Sequence, residues 1–332
     1  MALYLITGGA GFIGSNLAEV LLRQGEEVRV LDNFSTGKEE NLSFIKELKL
    51  PSNTFTLLRG DIRDLSTCHH ACEHVNFVLH QAALGSVPRS IDNPLLTNEV
   101  NIQGTLNLLV AARDAKVKRF IYASSSSIYG DPLSAGLKRE EVATKVESHT
   151  PHPQSPYAIS KLTGEYYCRV FYEIYKLETI SLRYFNVFGQ RQDAHSAYAA
   201  VIPKFIRALL SDQPPTIYGD GEQSRDFTHI DNVVQANLNA CYAPQDILGE
   251  AINIACGLRT TINQLHSHLC ELMDKRTKPL YLPPRAGDVK HSLADIRKAK
   301  DSLSYTPQVN VITGLKKSIN WFAKNIQKLN VQ

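Results

Sequence analysis

The chain has 332 residues, 43% hydrophobic and 21% charged, with a formal net charge of +3. That length allows one large α/β domain or two smaller ones around a sizeable core. The near-balanced charge gives no pull toward nucleic acid or an anionic membrane, and no apolar run approaches the roughly 18 residues needed to span a bilayer.

The opening MALYLITGGAGFIG lacks a basic stretch and a cleavage site, so it reads as the entry to a strand and not as a secretory signal. LYLITG (3–8) is a strand and GFIGSNLAEVLLRQG (11–25) a helix ended by Gly25. EVRVLD (27–32), FTLLRGD (55–61) and VNFVLHQA (75–82) are further strands. Before the last of these stands CHHACEH, with Cys68, His69, His70, Cys72 and His74. Zinc favours such ligands, but no second ligand pair follows at metal spacing, so the two cysteines are expected as buried thiols and no metal is expected. The other cysteines, Cys168, Cys241, Cys256 and Cys270, are scattered without a C-x-x-C pair, which predicts a reduced, cytoplasmic protein.

Residues 95–115 read as a long helix, RFIYASS (119–125) as a strand, 157–176 as a second long helix and TISLRYFN (179–186) as a strand. This alternation predicts an α/β fold, a doubly wound parallel sheet with helices on both faces. After Asn186 the pattern changes to the Pro- and Gly-rich PPTIYGDG (214–221) and KPLYLPPRAGD (278–288), with helices at 263–275 and 312–328. HIDNVVQANLNACY (229–242) and EAINIAC (250–256) read as a helix and strand returning to the sheet. The expected division is a Rossmann nucleotide-binding domain at 1–185 with 228–258, and a smaller substrate lobe at 186–227 and 259–332.

Gly8, Gly9, Gly11 and Gly14 follow the first strand and open the first helix. Glycines there permit a tight turn and close backbone approach, and the helix start offers N–H groups to a pyrophosphate. Asp32 ends the second strand about 20 residues on, where a carboxylate accepts from ribose hydroxyls and repels a 2′-phosphate, favouring NAD over NADP. Asp61, ending the third strand, is placed for the adenine.

SPYAISK puts Tyr157 and Lys161 four apart on one helical face. A phenol has a pKa near 10, and lowering it by three units needs roughly 4 kcal/mol of differential interaction. An ammonium one turn away, with a positive nicotinamide ring, acts in that direction. FIYASSSSIYG (120–130) ends a strand in four serines, each costing about 1–3 kcal/mol if buried without a partner.

TGGAGFIGSNL, LDNFSTG, GDIRD, HQAALGSVPRS, SSSSIYGD, SPYAISK, LRYFNVFGQRQD, GDGEQSRDF and GDVKHSLAD stand in the order of the blocks of the extended short-chain dehydrogenase/reductases, and the sequence resembles their nucleotide-sugar epimerases over nearly its whole length. It is especially similar to bacterial enzymes acting at C4 of UDP-N-acetylhexosamines and their uronic acids. The resemblance implies NAD as cofactor, a UDP-sugar as substrate, and Ser125, Tyr157 and Lys161 as catalytic residues. Tyr157 would take the O4 proton while NAD takes hydride from C4, and the 4-keto sugar would turn and receive it on the other face. The implied cofactor contacts are Gly8, Gly11, Phe12, Ile13, Gly14, Asp32, Asn33, Ser35, Thr36, Gly37, Asp61, Ile62, Gln81, Ala82, Ala83, Ser124 and Tyr184, besides Tyr157 and Lys161. The implied substrate contacts are Ser86, Ser126, Ser127, Asn186, Val201, Tyr218, Arg225, Arg285, Asp288 and Ser292, besides Ser125 and Tyr157. In relatives the two long helices pair with their mates in a four-helix bundle, so a homodimer is expected.

Two features depart from the family. The segment LSAGLKREEVAT, between Asp131 and Lys145, is longer than usual, and Ser126 and Ser127 stand where dehydratases carry an acidic pair. The leading expectation is 4-epimerisation of UDP-N-acetylglucosamine and UDP-N-acetylgalactosamine, with UDP-glucose or UDP-uronates as further substrates. Alternatives are a UDP-glucuronate decarboxylase and an NAD-binding regulator without turnover. Ser292 carries the choice of sugar: tyrosine at the matching place narrows the pocket in UDP-glucose enzymes, whereas serine leaves room for an N-acetyl group. Its other reading is an N-cap for the helix beginning LADIRKA.

Overall fold

The computed structural model describes residues 1–51, 53–130, 144–196, 199–284 and 290–329, of which 326–329 as backbone only. Short apolar segments form the strands β1 (Leu3–Thr7), β2 (Glu27–Asp32), β3 (Phe55–Arg59), β4 (Phe77–His80), β5 (Arg119–Ser125) and β6 (Glu178–Tyr184). A seventh, Ala251–Ile254, joins them in the order Ala251–Ile254, β6, β5, β4, β1, β2, β3. All six pairings are parallel. Every residue of β4 is buried, as expected for a strand covered on both faces. The order reverses between β1 and β4, and this switch point opens a crevice at the carboxyl ends of the strands.

Helices α1 (Phe12–Arg23) and α8 (Ile230–Cys241) cover one face, and α2 (Leu65–Cys72), α5 (Gly104–Asp114) and α6 (Pro156–Tyr175) the other. Cys68 and Cys72 lie in the second of these cores. Burial pushes both thiols up to about 12, and no metal-binding group occurs among the described residues. A third core joins Phe188 to Phe227 with α7 (Val201–Leu210), α9 (Ile262–Met273) and α11 (Val311–Leu329), above the carboxyl edge. Short strands Thr216–Tyr218 and Leu280–Leu282 pair at its edge, with Ile217 in the core and Leu280–Leu282 exposed.

Helix α6 begins where its sequence dictates. Ser155 caps it by accepting from Ala158 N at 3.1 Å, and Pro156 fills the first turn. The stretch expected as one helix over 95–115 is instead α4 (Pro94–Asn98), a π turn over Glu99–Gln103, then α5. The Asn101 side chain turns inward at that turn and bonds the backbone of Leu84 and the Ser160 hydroxyl. The helix after Ser292 starts later than expected: α10 spans Arg297–Leu303, with Ile296 at its N-cap. Ser292 is therefore not its cap. The residue is buried, and its N–H donates to Ser224 O at 3.0 Å.

Candidate active site

The glycine turn after β1 builds the first half of the crevice. A Cβ on Gly14 would sit 2.3 Å from Gly8 O, and one on Gly8, at φ +68°, 2.8 Å from Ala82 Cα. Only glycine permits this approach of backbone to backbone. The resulting cleft, about 280 Å³, is lined by Gly8, Gly11, Phe12, Ile13, Gly14, Asp32, Asn33, Ser35, Thr36, Asp61, Ile62, Gln81, Ala82 and Ala83. Gly11 stands at the N-cap of α1 without a side-chain cap, which leaves the helix start open to a pyrophosphate.

Asp32 is buried and accepts from Ala10 N at 2.9 Å and Phe34 N at 2.8 Å. Burial raises its pKa against these two bonds, and its remaining lone pairs suit a ribose diol. Gly37 backs this carboxylate, 2.8 Å from Oδ1 as measured for an added Cβ. Asp61 is held ionised, its pKa down at about 2, chiefly by Arg63, with Asn33 Nδ2 donating at 2.8 Å. No lysine or arginine is among the described residues lining this cleft. The residues fit NAD: a backbone cradle for the diphosphate, a carboxylate for the diol, no cation for a 2′-phosphate.

The chemical groups stand beyond this cleft, at the end of β5 and the start of α6. Lys161 is buried, with Nζ donating to Ala123 O at 2.7 Å and lying 5.0 Å and 5.9 Å from the ring centres of Tyr122 and Tyr157. Burial brings its pKa down to about 8. Burial raises the Tyr157 phenol, and the neighbouring Ser125 hydroxyl opposes the rise. Both shifts belong to the chain alone; a cationic ring beside the phenol would add a further downward pull.

The four serines divide. Ser124 points to α6 and donates to Glu165, which pairs with Arg183 at 2.8 Å. Its hydroxyl thus belongs to a buried network behind the strand and not to the cofactor cleft, contrary to expectation. Ser125 Oγ accepts from Ser127 N at 3.2 Å. Ser127 Oγ is buried with no protein partner, and Ser126 is half-buried. Tyr184, expected at the cofactor, directs its hydroxyl to Asn237 Oδ1 at 3.1 Å and to Gln81. It touches the cleft through Gln81.

A polar chain that the sequence reading missed runs beneath these groups. Thr105 donates its hydroxyl to Asn101 O at 2.6 Å, so it accepts from His80 Nε2 at 2.9 Å. His80 Nδ1 then accepts from the Thr7 hydroxyl at 2.7 Å, and Ala82 N donates to Thr7 Oγ1 at 3.3 Å. Burial, with the Lys161 cation nearby, lowers the His80 pKa to about 3, so the ring is neutral. Through Asn101 and Ser160, which donates to Tyr157 O at 2.8 Å, the chain ties the cofactor loop to the first turn of α6. The signal was a histidine and a threonine inside apolar runs.

A second cavity, about 440 Å³, adjoins on the lobe side and is lined by Ser86, Asn186, Val201, Tyr218 and Arg225 among others. Ser86 and Asn186 also line a cleft of about 530 Å³ that reaches Tyr157, Gly11 and Thr36. Ser86 caps α3 (Val87–Asp92) at φ +97°, and Asn186 has φ +32°. Ser292 is not among the residues lining these spaces. Arg285, Asp288 and the segment 131–143 lie outside the described residues.

Residues 4–255 match the model of the NAD dependent epimerase/dehydratase family. A protein of Methanocaldococcus jannaschii named putative UDP-glucose 4-epimerase is 36% identical over 97% of this chain and 98% of its own. A UDP-glucuronate 4-epimerase of Thermodesulfobacterium geofontis is 35% identical, over 98% of each chain. Among solved structures, the UDP-N-acetylglucosamine 4-epimerase of Methanobrevibacter ruminantium, in complex with UDP-N-acetylmuramic acid, superposes with a TM-score of 0.87 at 38% identity, over 98% of this chain and 99% of the other. The matched span takes in the glycine cradle, Asp32, Ser125, Tyr157 and Lys161, and the chain belongs to the NAD dependent epimerase/dehydratase family, with NAD as its cofactor.

Proposed function

We propose that the chain is a UDP-sugar 4-epimerase that interconverts UDP-N-acetylglucosamine and UDP-N-acetylgalactosamine. The observation that carries this reading is that Tyr157, with Ser125 and Lys161 beside it, lines a cleft shared with Ser86 and Asn186, which also line the lobe-side cavity. Bound NAD supplies a reversible hydride acceptor for C4. Tyr157 accepts the O4 proton and later returns it, and Ser125 holds O4 against the phenol. Lys161 stabilises the phenolate with its ammonium. Arg225 and Asn186 hold the diphosphate, and Tyr218 stacks on the uracil. Ser127 Oγ, buried and unpartnered in the chain alone, receives a sugar hydroxyl. No carboxylate stands at Ser126 or Ser127, which supports inversion over elimination of water.

The sugar assignment rests on Ser86 in its block, which lines both substrate spaces, and on the named activity of the solved relative. A panel of UDP-glucose, UDP-N-acetylglucosamine, their galacto epimers and both UDP-uronates, with products resolved by NMR, tests it. Fastest C4 inversion of the N-acetyl pair is the expected result. Turnover of UDP-glucose alone, or release of a pentose and carbon dioxide from a uronate, overturns it.

We propose further that the chain works as a homodimer, in a reducing cytoplasm. Leu95 is 77% exposed, and Ile159, Tyr166, Val170 and Ile174 form an exposed stripe along α6, at helical spacing. The six cysteines are all free thiols.

A further inference from the structure

We propose that Asp226 is the positioning residue of the nucleotide clamp: its carboxylate ties two distant chain segments to its own strand so that Arg225 faces the substrate cavity. This rests on the reading that Arg225 holds the UDP diphosphate.

Asp226 is completely buried. Oδ1 accepts from Cys256 N at 3.0 Å, and Oδ2 from Gly257 N at 3.0 Å and Ala294 N at 3.3 Å. Its own carbonyl accepts from Asn186 Nδ2 at 3.3 Å. The residue therefore joins four pieces of backbone: the end of β6, the strand Ser224–Arg225, the turn after Ala251–Ile254, and the segment leading to α10. Two of its neighbours, Arg225 and Asn186, line the cavity. Ser292, two residues before Ala294, is tied by its N–H to Ser224 O. One side chain thus fixes the register of the groups assigned to the diphosphate.

The bonds that hold the carboxylate all come from backbone N–H groups, and among the described residues no side-chain cation pairs with it. The surroundings are ill suited to charge. Burial raises the Asp226 pKa to about 6 despite those N–H groups, and it drives the neighbouring Cys256 thiol up to about 12. Sign matters here. A carboxyl whose folded pKa lies above its ordinary 3.8 favours the folded chain when protonated, so above about pH 6 the ionised group opposes folding. A carboxylate that opposes folding yet organises a binding cavity is the pattern of a site held for function.

The test uses full-length protein and UDP as probe, by titration calorimetry at pH 7.5. Asp226→Asn removes half of the acceptors and the charge. The expected result is UDP binding weakened about 10- to 100-fold, the span of a displaced charge-assisted bond. Bound NAD should stay near wild type, with the melting temperature lowered only modestly, because one oxygen's backbone donors lose their acceptor while the buried charge is removed. Activity should show the loss in KM, with kcat within about threefold. Because Asp226 acts through Arg225, the double variant Asp226→Asn, Arg225→Ala should bind UDP no more weakly than Arg225→Ala alone. If Asp226→Asn does not fold, Asp226→Glu keeps the charge, displaces it by one methylene, and should weaken UDP in the same way. The proposal is overturned if Arg225→Ala weakens UDP and neither Asp226 variant does. Equal loss of NAD, kcat and melting temperature would also overturn it, as would additive effects of the two substitutions. Wild-type protein that binds no UDP would overturn the nucleotide-sugar reading itself, and this proposal with it.

Discussion

At the residue scale, the proposed mechanism rests on Tyr157 and Lys161. Tyr157→Phe removes the proton acceptor and should lower kcat at least about 10²-fold, with NAD still bound; near-normal turnover would refute the mechanism. Lys161, at about 8, loses its proton earlier than an ordinary lysine at 10.5. Wild-type activity should therefore fall above about pH 8. Lys161→Ala should be slower throughout, with its optimum at higher pH. The same shift acts oppositely on stability. Between about pH 8 and 10.5 the unfolded lysine keeps a proton that the folded one has lost, so this group stabilises the fold as pH rises. The Tyr-Lys spacing was readable because helical periodicity puts both on one face. The serines were harder to read, since a strand end aims neighbouring hydroxyls to opposite sides. Ser124 goes to Glu165 while Ser125 meets the Tyr157 phenol.

At the element scale, the helices were legible where end signals are local. Ser155 and Pro156 set the start of α6, and Ser155→Ala should destabilise by about 1 kcal/mol, seen as a lower denaturant midpoint at unchanged slope. The π turn at Glu99–Gln103 was not legible, because it depends on Asn101 reaching Leu84 and Ser160, contacts 17 and 59 residues away. The start of α10 was hidden for a similar reason: the residues before it are held by Ser224 and Lys145 in an extended path, as Ser292 N meets Ser224 O and Asp295 N meets Lys145 O. That finding leaves Ser292 without a capping role. Ser292 lines none of the described cavities, so the selectivity of Ser292→Tyr decides its role: loss of N-acetyl turnover with UDP-glucose spared would put it beside the sugar, whereas equal loss with a lower melting temperature is the expected result of overpacking a buried position. Unchanged turnover of UDP-N-acetylglucosamine would remove Ser292 from the choice of sugar.

At the scale of the whole molecule, the alternation of strand and helix was enough to anticipate a parallel sheet and the return of Ala251–Ile254 to it. The three-way seam at Asp226 was beyond reach, since its partners lie 30 and 68 residues along the chain. The exposed stripe on α6 carries an assembly prediction. The wild-type chain should run as a dimer by light scattering, and Ile174→Glu with Leu95→Asp as a monomer; an unaltered mass would refute that interface. The position of Ala251–Ile254 has one more consequence, for the chain as it is made. β6 waits for its outer neighbour until nearly 70 more residues have emerged, from Tyr184 to Ala251. During that interval β6 presents a row of free N–H and C=O groups, a template for any other strand. A chain stopped before residue 251 is expected to aggregate, although it already holds the whole glycine cradle, Tyr157 and Lys161; soluble nascent chains of that length would show that another segment shields the edge.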